Sequence, residues 1–108
     1  MQRKSLFYAL LCISLLALAA PALAKQRIRL ATTTSTQNSG LLEHLIPPFE
    51  KEAGLTVDVI SVGTGKALAL GKRCDVDLVM VHAPKLEKQF VADGYGVDRR
   101  KLMHNYFV

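Results

Sequence analysis

The chain has 108 residues, and its 14 Lys and Arg against nine Asp and Glu give a formal net charge of +5. The basic residues are scattered apart from Arg99-Arg100-Lys101, with no stripe interleaved with aromatics, which argues against a nucleic-acid partner. The two cysteines, Cys12 and Cys74, fall in segments of different character, so no disulfide framework is expected.

Taken in order, Arg3 and Lys4 form a basic start, Leu6 to Ala20 is an uncharged apolar run, and Ala22-Leu23-Ala24 sets small residues at a cleavage spacing. Residues 1–24 are therefore expected to be a cleaved secretory signal that delivers the chain to the periplasm. The run is short for a membrane span and stops at Pro21, and Cys12 in its middle is misplaced for lipid attachment. Cleavage leaves 84 residues (108 minus 24) with a net charge of +3 (12 basic against nine acidic residues). Cys74 is then the one remaining thiol, either buried and inert or a liability in an oxidising compartment. His44, His82 and His104 lack ligand spacing to it or to one another, so no metal centre is expected.

From residue 25 onward the pattern alternates strand and helix. Arg27 to Ala31 reads as a short strand. Leu41, Leu42, Leu45, Ile46 and Phe49 recur at helical spacing, which predicts a helix over 39–53 with Ser39 as its cap, Pro47-Pro48 kinking or dividing it and Gly54 ending it. Leu55 to Val62 alternates and is rich in β-branched residues, a second strand. Gly63-Thr64-Gly65 reads as a turn and Lys66 to Arg73 as a short helix with Ala67, Leu68 and Leu70 inward. Val76 to Val81 is nearly all apolar, as a buried parallel strand would be. Pro84 opens a further helix with Leu86, Phe90 and Val91 on its inner face, and Gly94 ends it. Leu102 to Val108 reads as a last strand, on which the chain stops. The alternation predicts an α/β fold, a mostly parallel sheet with flanking helices and right-handed crossovers. An apolar strand left unpaired at an edge would be marginal, so residues 25–108 read as the first part of a larger domain.

In such a sheet, ligands bind beyond the carboxyl ends of the strands, near the point where strand order reverses. Three loops are expected there: 32–39, 62–66 and 82–84. The first is the run Thr32-Thr33-Thr34-Ser35-Thr36-Gln37-Asn38-Ser39, and the second holds Gly63-Thr64-Gly65. Both precede helices, whose first N–H groups lack internal partners and face an anion favourably. Neither contains a carboxylate. A partly protonated oxyanion such as phosphate profits from an acceptor, whereas a fully ionised tetrahedral anion needs donors alone. Asp75 and Asp77 sit at the opposite end of their strand and read as turn or helix-terminal polar residues. Lys66, a cation in a first helical turn and so placed to meet an anion, and His82, at a strand end that could face the cleft, read by default as a solvated side chain and a packed polar residue. An enzyme built on Ser35 and a histidine lacks both a Gly-x-Ser-x-Gly elbow and a placed acid.

The stretch Ala31 to Leu42 resembles the opening motif of the tungstate-binding proteins of ABC importers. Val62-Gly63-Thr64-Gly65-Lys66-Ala67-Leu68 is similar to their second motif, and Asp75 to Pro84 to their third. Phe90 to Gly96 and Asn105 to Val108 look like the stretches that follow. The resemblance implies a two-lobed periplasmic binding protein that holds tungstate, less often molybdate, between its lobes by hydroxyls and backbone amides. It implies Thr33, Thr34, Ser35, Thr64 and Gly65 as this lobe's ligand-binding residues, no catalysis, no cofactor, a monomer, and an ABC importer permease as membrane partner. Residues 25–108 would be the N-terminal part of the first lobe. Two departures stand out: Cys74 replaces a Gly or other small residue, and the second lobe, with its arginine-bearing motif, is absent. The rival expectations are a remnant without a competent site, or a site for another oxyanion such as sulfate or phosphate.

Overall fold

The structure, a computed structural model, describes residues 24–104. Its elements in order are β1 (Arg27–Thr33), α1 (Thr34–Asn38), α2 (Leu41–Ala53), β2 (Thr56–Val62), α3 (Thr64–Lys72), β3 (Leu78–Met80) and α4 (Pro84–Ala92). The strands form one three-stranded sheet in the order β2-β1-β3, both pairings parallel. The predicted signal, residues 1–24, lies outside the described residues except for Ala24.

The strand at the centre is set by composition. Leu30 and Ala31 are buried, and Thr32 and Thr33 continue the buried run to the carboxyl end. The strand thus extends two residues past the predicted Ala31, because threonine's β-branched side chain suits a strand as well as a loop. On one face Ala31 meets Ala67 and Val76, with Ile60, Val62, Leu70, Val79 and Val81 packed around them. By strand alternation Leu30 and Thr32 face the other way.

The helix ends show how local chemistry decides. α2 stops at Gly54 in the left-handed conformation (φ 68°), whose N–H reaches Glu50 O at 3.0 Å. α3 and α4 both end in the same paired motif. In α4, Gly94 (φ 83°) donates to Val91 O and Tyr95 to Phe90 O. In α3 the left-handed position is Cys74 (φ 59°), which donates to Gly71 O while Asp75 donates to Leu70 O. This explains why a glycine is the natural residue there. Cys74 is exposed and free, which settles its environment as solvent rather than core. Gly71 has a separate reason: a Cβ there would stand 2.8 Å from Phe90 Cζ and 3.0 Å from Val79 Cγ2, so its absence lets α4 close on α3. Phe90 and Tyr95 then stack at 5.8 Å, with Lys72 Nζ 5.2 Å from the centroid of the Tyr95 ring.

Several expectations are corrected. The helix predicted from Ser39 begins at Leu41, with Gly40 (φ 77°) as its N-cap; Ser39 Oγ instead donates to Thr36 O at 2.6 Å and accepts from Leu41 N–H at 3.3 Å. It runs as one element through Pro47 and Pro48, not divided there. Both prolines are exposed, so the carbonyls that lose their intrahelical donors can turn to water. Its predicted inner face is half open: Leu42 is buried, but Leu45 (51%) and Phe49 (46%) are exposed, as is Leu86 (52%) on α4. β3 is shorter than 76–81, and just ahead of it Asp77 grips β1 twice, its carboxylate accepting from Arg29 N–H at 2.7 Å and its own N–H donating to Arg29 O at 2.9 Å. Leu102, Met103 and His104 form no strand, and the remainder of that predicted strand lies outside the described residues.

Candidate functional site

β1 and β2 end in register, Thr33 opposite Val62, and β3 joins the other side of β1 with Met80 opposite Thr32. The connection from β1 leads to one neighbour, and the connection from β2 crosses to the other, so strand order reverses at β1. The three predicted loops accordingly leave the same edge of the sheet at its switch point.

The first loop is not a loop throughout. Thr34–Asn38 forms the five-residue α1, and Thr33 is its N-cap. Thr33 is nearly buried (3%), and its Oγ1 accepts from Thr36 N–H at 3.4 Å. The same oxygen lies 2.8 Å from Thr36 Oγ1 and 3.3 Å from Ser35 Oγ. Ser35 Oγ in turn lies 3.2 Å from His82 Nε2, a side-chain bond that spans from β1's loop to β3's. Hydroxyls thus form a connected chain from Thr36 through Thr33 to Ser35, ending on an imidazole. Thr34 is exposed at the first position of α1.

The second loop supplies backbone donors. Gly63 (φ −70°, ψ 157°) is the N-cap of α3 and offers no side chain to its first N–H groups. Thr64 is half-buried, and Gly65 and Lys66 are exposed, all in the first turn. Nothing lies within 4 Å of where a Cβ would stand on Gly63 or Gly65, so the backbone there is open to approach. Of the predicted residues, hydrogen bonds join Thr33 and Ser35, while Thr34, Thr64 and Gly65 share the edge by register.

Thr36 is the member of the cluster that the sequence did not single out, and His82, read by default as a packed polar residue, is exposed and bonded to Ser35. Thr36 was hidden because nothing in the polar run distinguishes a capped turn from a loop. His82 carried a weak signal, a polar residue directly after an apolar strand. Behind the site, Thr32 Oγ1 and Gln37 Oε1 are buried without a hydrogen-bond partner.

The electrostatics divide by edge. Arg27 Nε meets Asp58 Oδ2 at 2.9 Å at the amino edge, and this contact holds the Asp58 carboxyl below the usual carboxylate range. Asp77 bridges β3 to Arg29 at that edge too, as the sequence reading placed it. Arg99 pairs with Glu87 at 2.8 Å in a partly buried contact, whereas Arg100 pairs with Asp98 at 2.9 Å in solvent. Among the described residues no His, Cys, Asp and Glu group could hold a metal, and no helix is long and apolar enough to cross a membrane. A groove of about 250 Å³ between α3 and α4 is floored by Leu68, Ala69, Leu86 and Phe90 and edged by Gly65, Lys72, Gln89 and Asp93, whose carboxylate disfavours an anion there.

A sheet of this order with donors at its switch point defines a class, and residues 19–108 match the family model described as a PBP superfamily domain. The chain belongs to that family. More particularly, it is 48% identical over 85 residues to a protein named tungstate-binding protein TupA from Peptoclostridium acidaminophilum, covering 79% of this chain and 30% of the relative. It is similar to a solved structure described as the tungstate ABC transporter from Geobacter sulfurreducens, at 64% identity and a TM-score of 0.66, over 67% of this chain and 31% of that one. It is also similar to the tungstate-binding protein TupA from Desulfovibrio alaskensis G20, at 52% identity and a TM-score of 0.65, over 66% of this chain and 28% of that one. The resemblance read from the motifs therefore holds, and the chain spans about 30% of the length of the curated relatives it matches.

Proposed function

We propose that this chain is the N-terminal part of the first lobe of a periplasmic binding protein that captures a tetrahedral oxyanion, tungstate or molybdate, for an ABC importer permease. The observation that carries this reading is the carboxyl edge of the sheet. It joins hydroxyls to uncapped backbone N–H groups and holds no carboxylate from Leu30 to Asn38 or from Val59 to Lys66. Thr33, Thr34 and Ser35 would present hydroxyls and the N–H groups of α1's first turn. Thr64 and Gly65 would present the start of α3, where the helix dipole favours negative charge. The protein works as a binder, reaches the periplasm by its signal segment, acts as a monomer and needs no cofactor. The names of its relatives support the tungstate and transporter parts of this reading.

A second reading has its own observation. Ser35 and Gly65 are exposed, so the donor set is open on one side and has nothing in these residues to close over a ligand. On that reading the 108 residues alone hold no competent site. A charge-assisted hydrogen bond contributes about 1.5–3 kcal/mol, so a site short of three such donors would bind weaker by roughly three to six orders of magnitude. Titration calorimetry of the purified chain with tungstate separates the two. Heat of binding, displaced by molybdate but not by sulfate or phosphate, is expected. A silent titration with no thermal shift at millimolar tungstate would leave the remnant reading standing.

A further inference from the structure

We propose that His82 is a working part of this site: through its bond to Ser35 Oγ it sets which way the Ser35 hydroxyl points, and in its protonated form it supplies a positive charge at the rim. The inference rests on the oxyanion reading above and deepens it.

The argument starts from geometry. Ser35 Oγ sits between two partners, Thr33 Oγ1 at 3.3 Å and His82 Nε2 at 3.2 Å, and a hydroxyl has one proton to give. If Nε2 carries no hydrogen, it accepts the Ser35 proton and turns it away from the cleft. If Nε2 carries a hydrogen, it donates to Ser35 Oγ, and the Ser35 proton is free for an anion. Protonating the imidazole guarantees the second arrangement and adds a charge. An anion that needs the Ser35 donor must therefore favour the protonated ring, so its affinity must rise as pH falls.

The charged surroundings are sparse enough for this to show. β1 and α1 carry no charge from Leu30 to Asn38, β2 none from Val59 to Val62, and β3 none. α3 brings Lys66 in its first turn. α4 brings Lys85 and Glu87, and Glu87 is occupied by Ala83 N–H at 2.9 Å and by Arg99 at 2.8 Å. α2, which packs against α1, adds Glu43 and His44, so a pH slope belongs to His82 only if it is lost in His82→Gln. His82 is exposed, so its replacement leaves the core intact.

The test is tungstate calorimetry on the full chain at about pH 6 and about pH 8, for the wild type, His82→Gln, Ser35→Ala and the double variant, each checked for folding by circular dichroism. The wild type should bind about tenfold tighter at the lower pH, the difference between a neutral and a charge-assisted contact. His82→Gln, whose amide can still bond Ser35 but cannot titrate, should bind with a flat pH profile. Ser35→Ala should bind weaker, and adding His82→Gln to it should cost less than in the wild type. Equal wild-type affinity at both pH values, or a slope that survives His82→Gln, overturns the role of His82 and leaves the oxyanion reading standing. No binding at either pH overturns the oxyanion reading itself, and this role with it.

Discussion

The two edges of the sheet solve different problems with different residues. At the amino edge the strands are stitched by charge: Arg27 to Asp58 across β1 and β2, and Asp77 to the Arg29 backbone across β1 and β3. At the carboxyl edge the same strands carry hydroxyls and glycines, and the cross-loop bond joins Ser35 Oγ to His82 Nε2. Each edge is legible as a consequence of the other. Charges that would bind or repel a ligand are spent where none is expected, and the opposite edge keeps uncharged donors free.

The sharpest way to break this contrast is to move a carboxylate across. Ser35→Asp should abolish tungstate binding in calorimetry, because two like charges about 4 Å apart at a protein surface repel by roughly 4 kcal/mol. Thr33→Val keeps the shape but removes the oxygen that caps α1 and meets Thr36 and Ser35. Chemical denaturation should show a loss of about 1–2 kcal/mol, and tungstate affinity should fall about tenfold.

The amino edge should respond in stability alone. Asp77→Ala leaves Arg29 N–H without its acceptor and should cost about 1 kcal/mol, with tungstate affinity unchanged among folded molecules. Cys74→Gly should stabilise by about 0.5–1 kcal/mol, read as a shifted denaturation midpoint, since it relieves a left-handed side chain at the end of α3. The smallest effect concerns acid. Asp58's pKa is lowered by Arg27, so its contribution is present above the ordinary carboxylate pKa and fades as pH falls below about 4. Arg27→Ala should flatten that part of the stability profile, by little, because both side chains are exposed.

What the sequence disclosed follows from how local its causes are. Gly54 and Gly94 announced helix ends because a left-handed residue is a one-position requirement. β2 was plain from its alternation, and the start of α4 from Pro84. α1 was not legible: Thr-Ser-Thr-Gln-Asn has little helix propensity and no apolar face, and it turns because Thr33 caps it beside β2. The double contact of Asp77 with Arg29 just ahead of β3 joins residues 48 apart, which no local pattern announces. Leu45, Phe49 and Leu86 kept helical spacing while remaining exposed, since periodicity marks an apolar face without saying what covers it. In the candidate site, the residue types and the edge were readable. The hydrogen bond from Ser35 to His82 was not, because it depends on the strand order.

That order also fixes when the site can come into being. On a ribosome the chain emerges from its beginning, and the central strand is made first although it must wait for both neighbours. Asp58 reaches Arg27 after 31 residues of synthesis, and Asp77 reaches Arg29 only after 48. His82 follows Ser35 by 47 residues, so it is among the latest parts of the sheet edge to appear. Until it does, the hydroxyl run is a polar segment on a half-built parallel sheet, without its last partner. A nascent chain therefore has no finished place for an anion until His82 has been made.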